Sequence, residues 1–291
     1  MFSTVVRYNK EPVEFAMSAA FERQFRLFGI VRRGLKFDTR FAPPASGASN
    51  AMIVFLLLDG NLRWSDGREL EGPSLFLLPE TEYEGANGVR TRHFRAWGEP
   101  FCSVDLRLDR RHCAEERSHV PIDALVRAGR SYLHASQSAK GQTLIADLAA
   151  AYLRELRAHG VVTTDLAATM TRDEGLRGVV WEALRPVIAG FGGSKQEELT
   201  SKIGWGRHRL QRTLTRMAME HGAAWMGGWR DIAFRYRVRV AALLLSNPSL
   251  TVSDVASAVG YTSVEALAHA FEASGLPPAT EVREQLLQAA P

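Results

Sequence analysis

A run of basic side chains between residues 195 and 239 carries the most distinctive chemistry in the sequence. Arginine can form paired hydrogen bonds with guanine, and glutamine can do so with adenine, so side chains of these types can read DNA bases. The basic residues of the run are Lys195, Lys202, Arg207, Arg209, Arg212, Arg216, Arg230, Arg235, Arg237 and Arg239, and the acidic ones are Glu197, Glu198, Glu220 and Asp231. This local excess of positive charge predicts a surface that binds nucleic acid.

The sign of the charge reverses after Val240. From there to the C-terminus, the charged residues are Arg283 on one side and Asp254, Glu265, Glu272, Glu281 and Glu284 on the other. Because the net charge of the whole chain is only +4, the placement of the charges is more informative than their sum.

The residues that would position these side chains follow a helical pattern in short pieces, mostly joined at glycines, where helices end readily. The predicted helices span Leu176–Ala189, Gln196–Ile203, Arg207–Met219, Trp229–Leu245, Val252–Val259 and Val264–Ala273. Successive helices of this size, joined by turns of about three or four residues, are typical of helix-turn-helix units.

The segment from residue 251 to residue 271 fits one such unit. Thr251 or Ser253 would cap its first helix, Thr262 or Ser263 would cap its second, and Gly260 would supply the left-handed turn between them. The inner faces of the two helices would be formed by Val255, Ala256, Val259, Leu267 and Phe271.

The same pattern occurs earlier, around Gly204. Leu199 and Ile203 would face inward before the turn, and Leu210 and Leu214 after it. A long helix that contains Arg237, Ala241, Leu244 and Leu245 would join the two units. Taken singly, each unit is better explained as a plain helical hairpin.

Taken together, the two units and their separation resemble the AraC/XylS family of transcription regulators, from about Leu176 to the C-terminus. In the second unit the resemblance rests on Ala256, Val259-Gly260-Tyr261, Ser263, Leu267, Phe271 and Arg283. In the first unit and the joining helix it rests on Ile203-Gly204, Leu210, Gln211-Arg212, Gly222, Arg237, Ala241 and Leu244-Leu245. It implies a double helix-turn-helix DNA-binding domain over residues 172–291, with one recognition helix from each unit in successive segments of the major groove.

The resemblance also implies which side chains face DNA. The first recognition helix begins near Gly206, where the family usually has a capping serine. Its DNA-facing residues would be Arg207, His208, Gln211 and Arg212. Arg209 and Arg216 would meet phosphate or solvent. The alternative is a basic helix face that is only solvated.

The second recognition helix would present Thr262, Ser263, Val264, Glu265 and His269, with Glu272 where the family commonly has a basic residue. Phosphate repels carboxylates, so we expect this unit to support the fold or to bind DNA weakly. Glu265 could accept a hydrogen bond from cytosine.

The first third of the chain is typical of β structure. Short apolar runs from Ala51 to Leu58, from Asn61 to Trp64 and from Ser74 to Leu78 are separated by turn residues at Asp59-Gly60, Ser65–Gly67 and Glu71–Pro73. Two more strands are predicted at Thr91–Ala96 and Phe101–Leu108, with a turn at Trp97–Pro100. Closely spaced hairpins of this kind suit a small barrel or jelly roll.

The predicted fold class is therefore α+β with two domains, and the resemblance implies a cupin-like β-barrel with helices over residues 1–165, which acts in effector binding or dimerisation. An amphipathic helix through Leu144, Leu148, Tyr152 and Leu156 would either cap this domain or pack against a second copy in a dimer. The segment Val161–Arg172 is the predicted linker.

A barrel interior can hold a small ligand. The candidate lining residues are Phe55, Trp64, Phe76 and Phe94, with ordinary core packing as the alternative. No cofactor is expected. No metal site is expected either, since a metal-binding cupin needs a closely spaced histidine pair with a following carboxylate, and the histidines are scattered, at His93, His112, His119 and His134.

Length and composition agree with two folded domains, since the chain has 291 residues, of which 46% are hydrophobic and 23% charged. Met1–Lys10 has no secretory signal, and the longest apolar run, Ala51–Leu58, is far too short to span a membrane. A cytoplasmic protein with no membrane partner is expected. Cys102 and Cys113 are expected to be reduced and structural.

The predicted function is that of a sequence-specific transcription regulator, and the sequence leaves open whether it is an activator or a repressor. Its expected partners are double-stranded DNA, a second copy of the chain, a small-molecule effector and RNA polymerase. One alternative is an enzyme on a β-barrel, which the sequence disfavours because it has no nucleophile elbow, phosphate loop or zinc-protease motif. The other is an interaction protein that kept the regulator fold and lost operator binding, which the acidic second unit favours.

Overall fold

The computed structural model describes residues 2–10, 13–42, 51–80, 93–114, 122–137, 142–170, 179, 196–220 and 229–288. The predicted helix Leu176–Ala189, apart from Val179, lies outside these ranges, as do Gly222 and His119. We call residues 2–170 the β region and residues 196–288 the helical region.

The β region contains strands followed by two helices. The strands are β1 Phe2–Lys10, β2 Val13–Phe21, β3 Phe25–Arg33, β4 Phe37–Asp38, β5 Ala51–Trp64, β6 Glu69–Glu71, β7 Ser74–Pro79 and β8 Phe94–Asp109. The helices are α1 Asp123–Gln137 and α2 Gln142–Ala158. The strands form one antiparallel sheet in the order β1-β2-β3-β8-β5-β6, with β4 paired to β8 and β7 paired to β5. The prediction of an antiparallel sheet followed by a helical part is confirmed.

Strands β5 and β8 continue through two segments that the sequence predicts to be turns. The pairing of β5 with β8 shifts register on both sides of Asp59, and Asn61 then pairs with Trp97. Here the two strands lie very close. A Cβ atom on Gly98 would come within 2.7 Å of the Cα atom of Gly60. The absence of side chains on both glycines lets the strands bend while they stay paired. The predicted turns at Asp59-Gly60 and Trp97–Pro100 are therefore wrong.

Helices α1 and α2 cover one face of the sheet. The predicted amphipathic helix is confirmed as α2. Tyr152 and Leu156 of its apolar stripe are buried within the chain, whereas Leu144 is 41% exposed, so both alternatives given for the stripe stay open. Burial of each large side chain in this layer contributes about 1.5–3 kcal/mol. The layer includes Val54, Leu56, Leu106, Tyr132, Tyr152, Leu153 and Leu156.

The other face of the sheet is also buried, although it carries charged side chains. We call Arg26, Arg32, Glu80, Asp105 and Arg107 the ionic set. Glu80 pairs with Arg26 at 2.9 Å and with Arg107 at 3.1 Å. The guanidinium group of Arg32 lies over the ring of Phe101, 4.0 Å from its centroid. These contacts compensate for the loss of hydration that buried charges suffer.

Asp105 lies in the second half of β8 and is fully buried. Ser103 Oγ donates a hydrogen bond to Asp105 Oδ1 at 3.0 Å. Burial raises the pKa of Asp105 to about 6, although Arg107 and the bond from Ser103 act to lower it. The folded chain therefore disfavours the charged form of this carboxyl group.

The cysteines are free and buried. Burial raises the pKa of the Cys102 thiol to about 11, with Asp59 acting in the same direction, so this thiol is protonated at neutral pH.

Residues 161–170 pack against the β region, although the sequence assigns them to the linker. Val162 is 1% exposed and forms an isolated bridge with Cys113, and Thr163 N–H donates to His112 O at 2.9 Å. Leu166 is buried as well. These apolar residues are spaced neither as a helix face nor as a strand face, so the periodicity of the sequence does not reveal their packing.

The helical region contains α3 Gln196–Ile203, α4 Arg207–Glu220, α5 Trp229–Leu244, α6 Val252–Ala258, α7 Val264–Ala273 and α8 Ala279–Gln288. The first five agree closely with the predicted helices, whereas α8 was not predicted. A shared apolar core joins α3, α4 and α5 through Leu199, Leu210, Leu214, Val238 and Ala241.

Replacement of Asp105 by asparagine is expected to change how stability depends on pH. The pKa of Asp105 is raised from its ordinary value of 3.8 to about 6, so this group favours folding below pH 4 and loses that contribution as the pH rises through 6. Asparagine cannot ionise. The free energy of unfolding of Asp105→Asn, relative to the wild type, should therefore rise by about 3 kcal/mol between pH 3 and pH 7.

Urea unfolding at a series of pH values measures this difference. Asp147→Asn, at an exposed position of α2, is the matched control. An Asp105→Asn difference that stays constant with pH would show that the buried carboxyl group is not shifted.

Candidate nucleic-acid interface

The first helix-turn-helix unit is formed by α3 and α4. Gly204 makes the turn between them with a left-handed φ of 66°, and Trp205 N–H donates to Thr200 O at 3.1 Å. Leu210 and Leu214 are fully buried. Because α4 buries this one apolar stripe, its opposite side points away from the protein.

The exposed side of α4 carries the side chains that the resemblance assigns to DNA contact. The structure places these predicted residues on the outside of one helix and leaves all of them exposed: Arg207, His208, Arg209, Gln211, Arg212 and Arg216. An α-helix with its side chains is about 10–12 Å wide and the major groove is about 12 Å wide, so this side of α4 can enter the groove.

Two neighbours of α4 were missed in the sequence. Glu197 of α3 forms an ion pair with Arg207 at the N-terminus of α4. Trp205 lies beneath Arg209, with the guanidinium carbon 4.3 Å from the ring centroid. The ion pair joins residues on opposite sides of the turn at Gly204, and only the folded turn shows that they meet. Trp205 follows Gly204 within the turn, four residues before Arg209.

Helix α5 connects the two units and packs against α6, α7 and α8. Arg237 of α5 lies 5.7 Å from the ring centroid of Tyr261, which follows α6. Arg283 of α8 donates to Leu250 O at 3.1 Å and to Pro248 O at 3.0 Å. These two arginines, which belong to the family pattern, therefore tie the second unit to the joining helix.

The second unit begins with a reciprocal cap. Thr251 Oγ1 accepts from Asp254 N–H at 3.1 Å, and Asp254 Oδ2 accepts from Thr251 N–H at 2.9 Å, which is a capping box. Ser263 caps α7 and accepts from Ala266 N–H at 3.2 Å. Gly260 has a φ of 80° between the two helices. Of the alternative caps, the structure therefore uses Thr251 and Ser263.

The exposed side of α7 is acidic. Thr262, Ser263, Glu265, His269 and Glu272 are exposed, and Val264 is half-buried. The pKa of Glu265 is lowered, because its carboxylate accepts hydrogen bonds from its own backbone N–H and from the Ser263 hydroxyl. The Glu265 carboxylate thus already occupies a backbone N–H group at the N-terminus of α7, and its negative charge leaves this end of the helix poorly suited to bind phosphate.

The candidate effector-binding side chains lie together in the β region and pack against one another. The rings of Phe55 and Phe76 are stacked with centroids 4.8 Å apart. Trp64 contacts Phe76 edge-on at 5.1 Å and lies 5.8 Å from Phe94. All four are nearly or fully buried.

The sequence leads us to expect neither a metal site nor a membrane-spanning segment. Within the described ranges, no group of three or more histidine, cysteine, aspartate or glutamate residues is placed to hold a metal ion. His112 contacts Thr164 at 2.7 Å and His134 is exposed. None of the described helices is both long and apolar enough to cross a membrane.

Comparison with known proteins gives matches in structure only. No family model and no curated protein matches the chain. The similar solved structures include wild-type ToxT of Vibrio cholerae bound to an unsaturated fatty acid, with 11% identity, 94% of this chain and 99% of that chain covered, and a TM-score of 0.37. They also include the AraC-like transcriptional activator CuxR, with 14% identity, 73% and 80% covered, and a TM-score of 0.31.

CuxR is described as AraC-like, which is the family that the sequence resembles. The chain is also similar to the cupin domain of Schizosaccharomyces pombe Cnp3, with 12% identity, 35% of this chain and 69% of that chain covered, and a TM-score of 0.22. Because these identities and TM-scores are low, function has to be inferred from the side chains of the chain itself.

Loss of the Thr251 hydroxyl should destabilise the helical region. Thr251→Ala removes one half of the capping box at α6, and we expect it to lower the free energy of unfolding by about 1 kcal/mol. Ser253→Ala is the matched control, because Ser253 is exposed inside α6 and does not cap it. Urea unfolding compares the two variants. Equal losses would show that the capping box does not stabilise α6.

Proposed function

We propose that the chain is a sequence-specific DNA-binding transcription regulator that reads its operator mainly through α4. The observation that carries this proposal is the exposed basic side of α4, held outward by the burial of Leu210 and Leu214. Arg207 and Arg212 have the chemistry to bind guanine, and Gln211 has the chemistry to bind adenine. Arg209 and Arg216 are assigned to phosphate.

The second unit has a smaller part in this proposal. Glu265 and Glu272 are both exposed on α7, and phosphate repels both. We assign α7 to weak or supporting contact, in which Glu265 accepts a hydrogen bond from cytosine. Thr262, Ser263 and His269 remain candidates beside it.

We assign the β region to control. A cupin-like domain over residues 1–165 would bind a small-molecule effector or form a homodimer, and would thereby set how two DNA-binding domains reach their half-sites. The buried ionic set supports a sensory role, since charged groups in a sheet interior cost stability and cluster at functional sites. Activation through RNA polymerase belongs to the same proposal, and no catalytic role is proposed.

Selection of genomic fragments by the full chain, followed by titration at several salt concentrations, tests the proposal. A regulator should prefer a defined sequence, and the logarithm of its affinity should fall steeply with the logarithm of the salt concentration. The alternative is an interaction protein that has lost operator binding, which the acidic side of α7 favours. Absence of DNA binding would support that alternative and refute the regulator.

Arg212→Ala should weaken operator binding by about 1–3 kcal/mol if Arg212 reads a base. Arg154→Ala, which removes an exposed arginine from α2, controls for the loss of one positive charge. Fluorescence anisotropy with the operator and with a scrambled duplex measures both variants. Unchanged operator affinity in Arg212→Ala would remove Arg212 from the set of base-reading residues.

Glu197→Gln should strengthen binding to any duplex by about two- to fivefold, because it releases Arg207 from its ion pair and makes that arginine available to phosphate. Glu198→Gln changes the net charge equally at the neighbouring exposed position. The same titrations compare the two. An equal gain in both variants would mean that the total charge, and not the pair with Arg207, sets the effect.

A further inference from the structure

The turn at residues 34–36, between β3 and β4, contacts the end of α5. Asn247 Nδ2 donates to Gly34 O at 2.7 Å, and Lys36 N–H donates to Ser246 Oγ at 2.8 Å. Leu35 is 2% exposed and belongs to the apolar cluster that includes the core of the helical region. The β3–β4 turn is therefore docked directly onto the helical region.

On the helical side, this contact lies at the joint between α5 and the second helix-turn-helix unit. Asn247 and Ser246 are both buried. Asn247 Oδ1 also accepts from Ser249 N–H at 2.8 Å, so one amide group holds both the turn and the joint. The second unit begins at the Thr251 cap, two residues after Ser249.

On the β side, the same turn is held by groups that reach the buried ionic face. Gly34 N–H donates to both oxygens of Glu99, at 2.8 Å and 3.0 Å. Arg32 lies just before the turn and Phe37 just after it, and the guanidinium group of Arg32 is 5.2 Å from the ring centroid of Phe37. A displacement of Arg32 would therefore move both ends of the turn.

At the turn, two hydrogen bonds and the buried Leu35 join the two regions, and Leu35 belongs to an apolar cluster that also contains Phe21 and Phe28 of the β region. The buried amide and hydroxyl groups also select one arrangement, because any slip would leave a buried donor or acceptor without its partner.

We propose that the β3–β4 turn is the element through which a change at Arg32, on the buried ionic face of the β region, alters DNA binding by the helical region. This inference rests on the proposed function, and it names the route by which the β region regulates it. A ligand or a partner that displaces Arg32 shifts the turn, and the turn shifts the joint that positions the second unit.

A double-mutant cycle in the full chain tests the route. Arg32→Lys keeps the charge but loses the planar group that stacks on Phe101 and Phe37. Asn247→Asp keeps the acceptor for Ser249 but removes the donor to Gly34 O. We expect Arg32→Lys to change the affinity for the selected operator by about fivefold or more in the wild-type background and by less than about twofold in the Asn247→Asp background.

Ser249→Ala controls for the local role of Asn247, because it removes the hydroxyl that donates to Asn247 Oδ1 and leaves both the Ser249 N–H bond and the bond to Gly34 O intact. In that background Arg32→Lys should keep its full effect. An equal effect of Arg32→Lys in the wild-type and Asn247→Asp backgrounds, or no effect in the wild type, would overturn the proposal.

Hydrogen exchange provides a second measurement that needs no DNA. The Lys36 amide should exchange faster in Arg32→Lys and in Ser246→Ala than in the wild type, while in Ser246→Ala the Gly34 amide stays protected by Glu99. Unchanged exchange at Lys36 in Arg32→Lys would overturn the route. The two measurements can also disagree. If the wild type binds no duplex but Arg32→Lys still speeds exchange of the Lys36 amide, the proposed function is refuted, while the coupling between Arg32 and the β3–β4 turn stands.

Discussion

The helical region depends on one packing constraint, which is the burial of a narrow apolar stripe on α4. Leu210 and Leu214 are fully buried against α3 and α5, and this fixes the rotation of α4 about its own axis. The basic side chains then have no direction available except outward. Every DNA contact proposed for α4 follows from this rotation, because a turn of the helix by half a revolution would bury the arginines and expose the leucines.

The β region meets a different constraint, since both faces of its sheet are buried and one of them holds charge. Ser103, Asp105 and Arg107 alternate along β8 with Val104, Leu106 and Leu108, and all of them are buried. The arginines of the ionic set are accommodated by a shared carboxylate and by aromatic rings. Evolution retains such groups where they serve specificity or function, because apolar packing alone would be more stable.

Most of the helical region could be predicted from the sequence, because glycine turns, caps and apolar stripes are local signals. The turns at Gly204 and Gly260 and the buried faces of α6 and α7 are where those signals place them. The β region was less predictable, for physical reasons. The alternation in β8 ordinarily indicates a strand with one face in solvent, and only the opposing strands show that the polar face is enclosed. Gly60 and Gly98 are typical of turns, yet their close approach across two paired strands makes them a bend.

The ion pair between Glu197 and Arg207 has a consequence for how such a protein would find its target. An arginine that already has a carboxylate partner must exchange it before it can contact nucleic acid. On random duplex the exchange yields a single phosphate contact, whereas at a matched guanine it yields two hydrogen bonds. Under the proposed function, the carboxylate would shorten the residence time on random sequence more than on the correct one, and would favour rapid search along a chromosome over tight but indiscriminate retention.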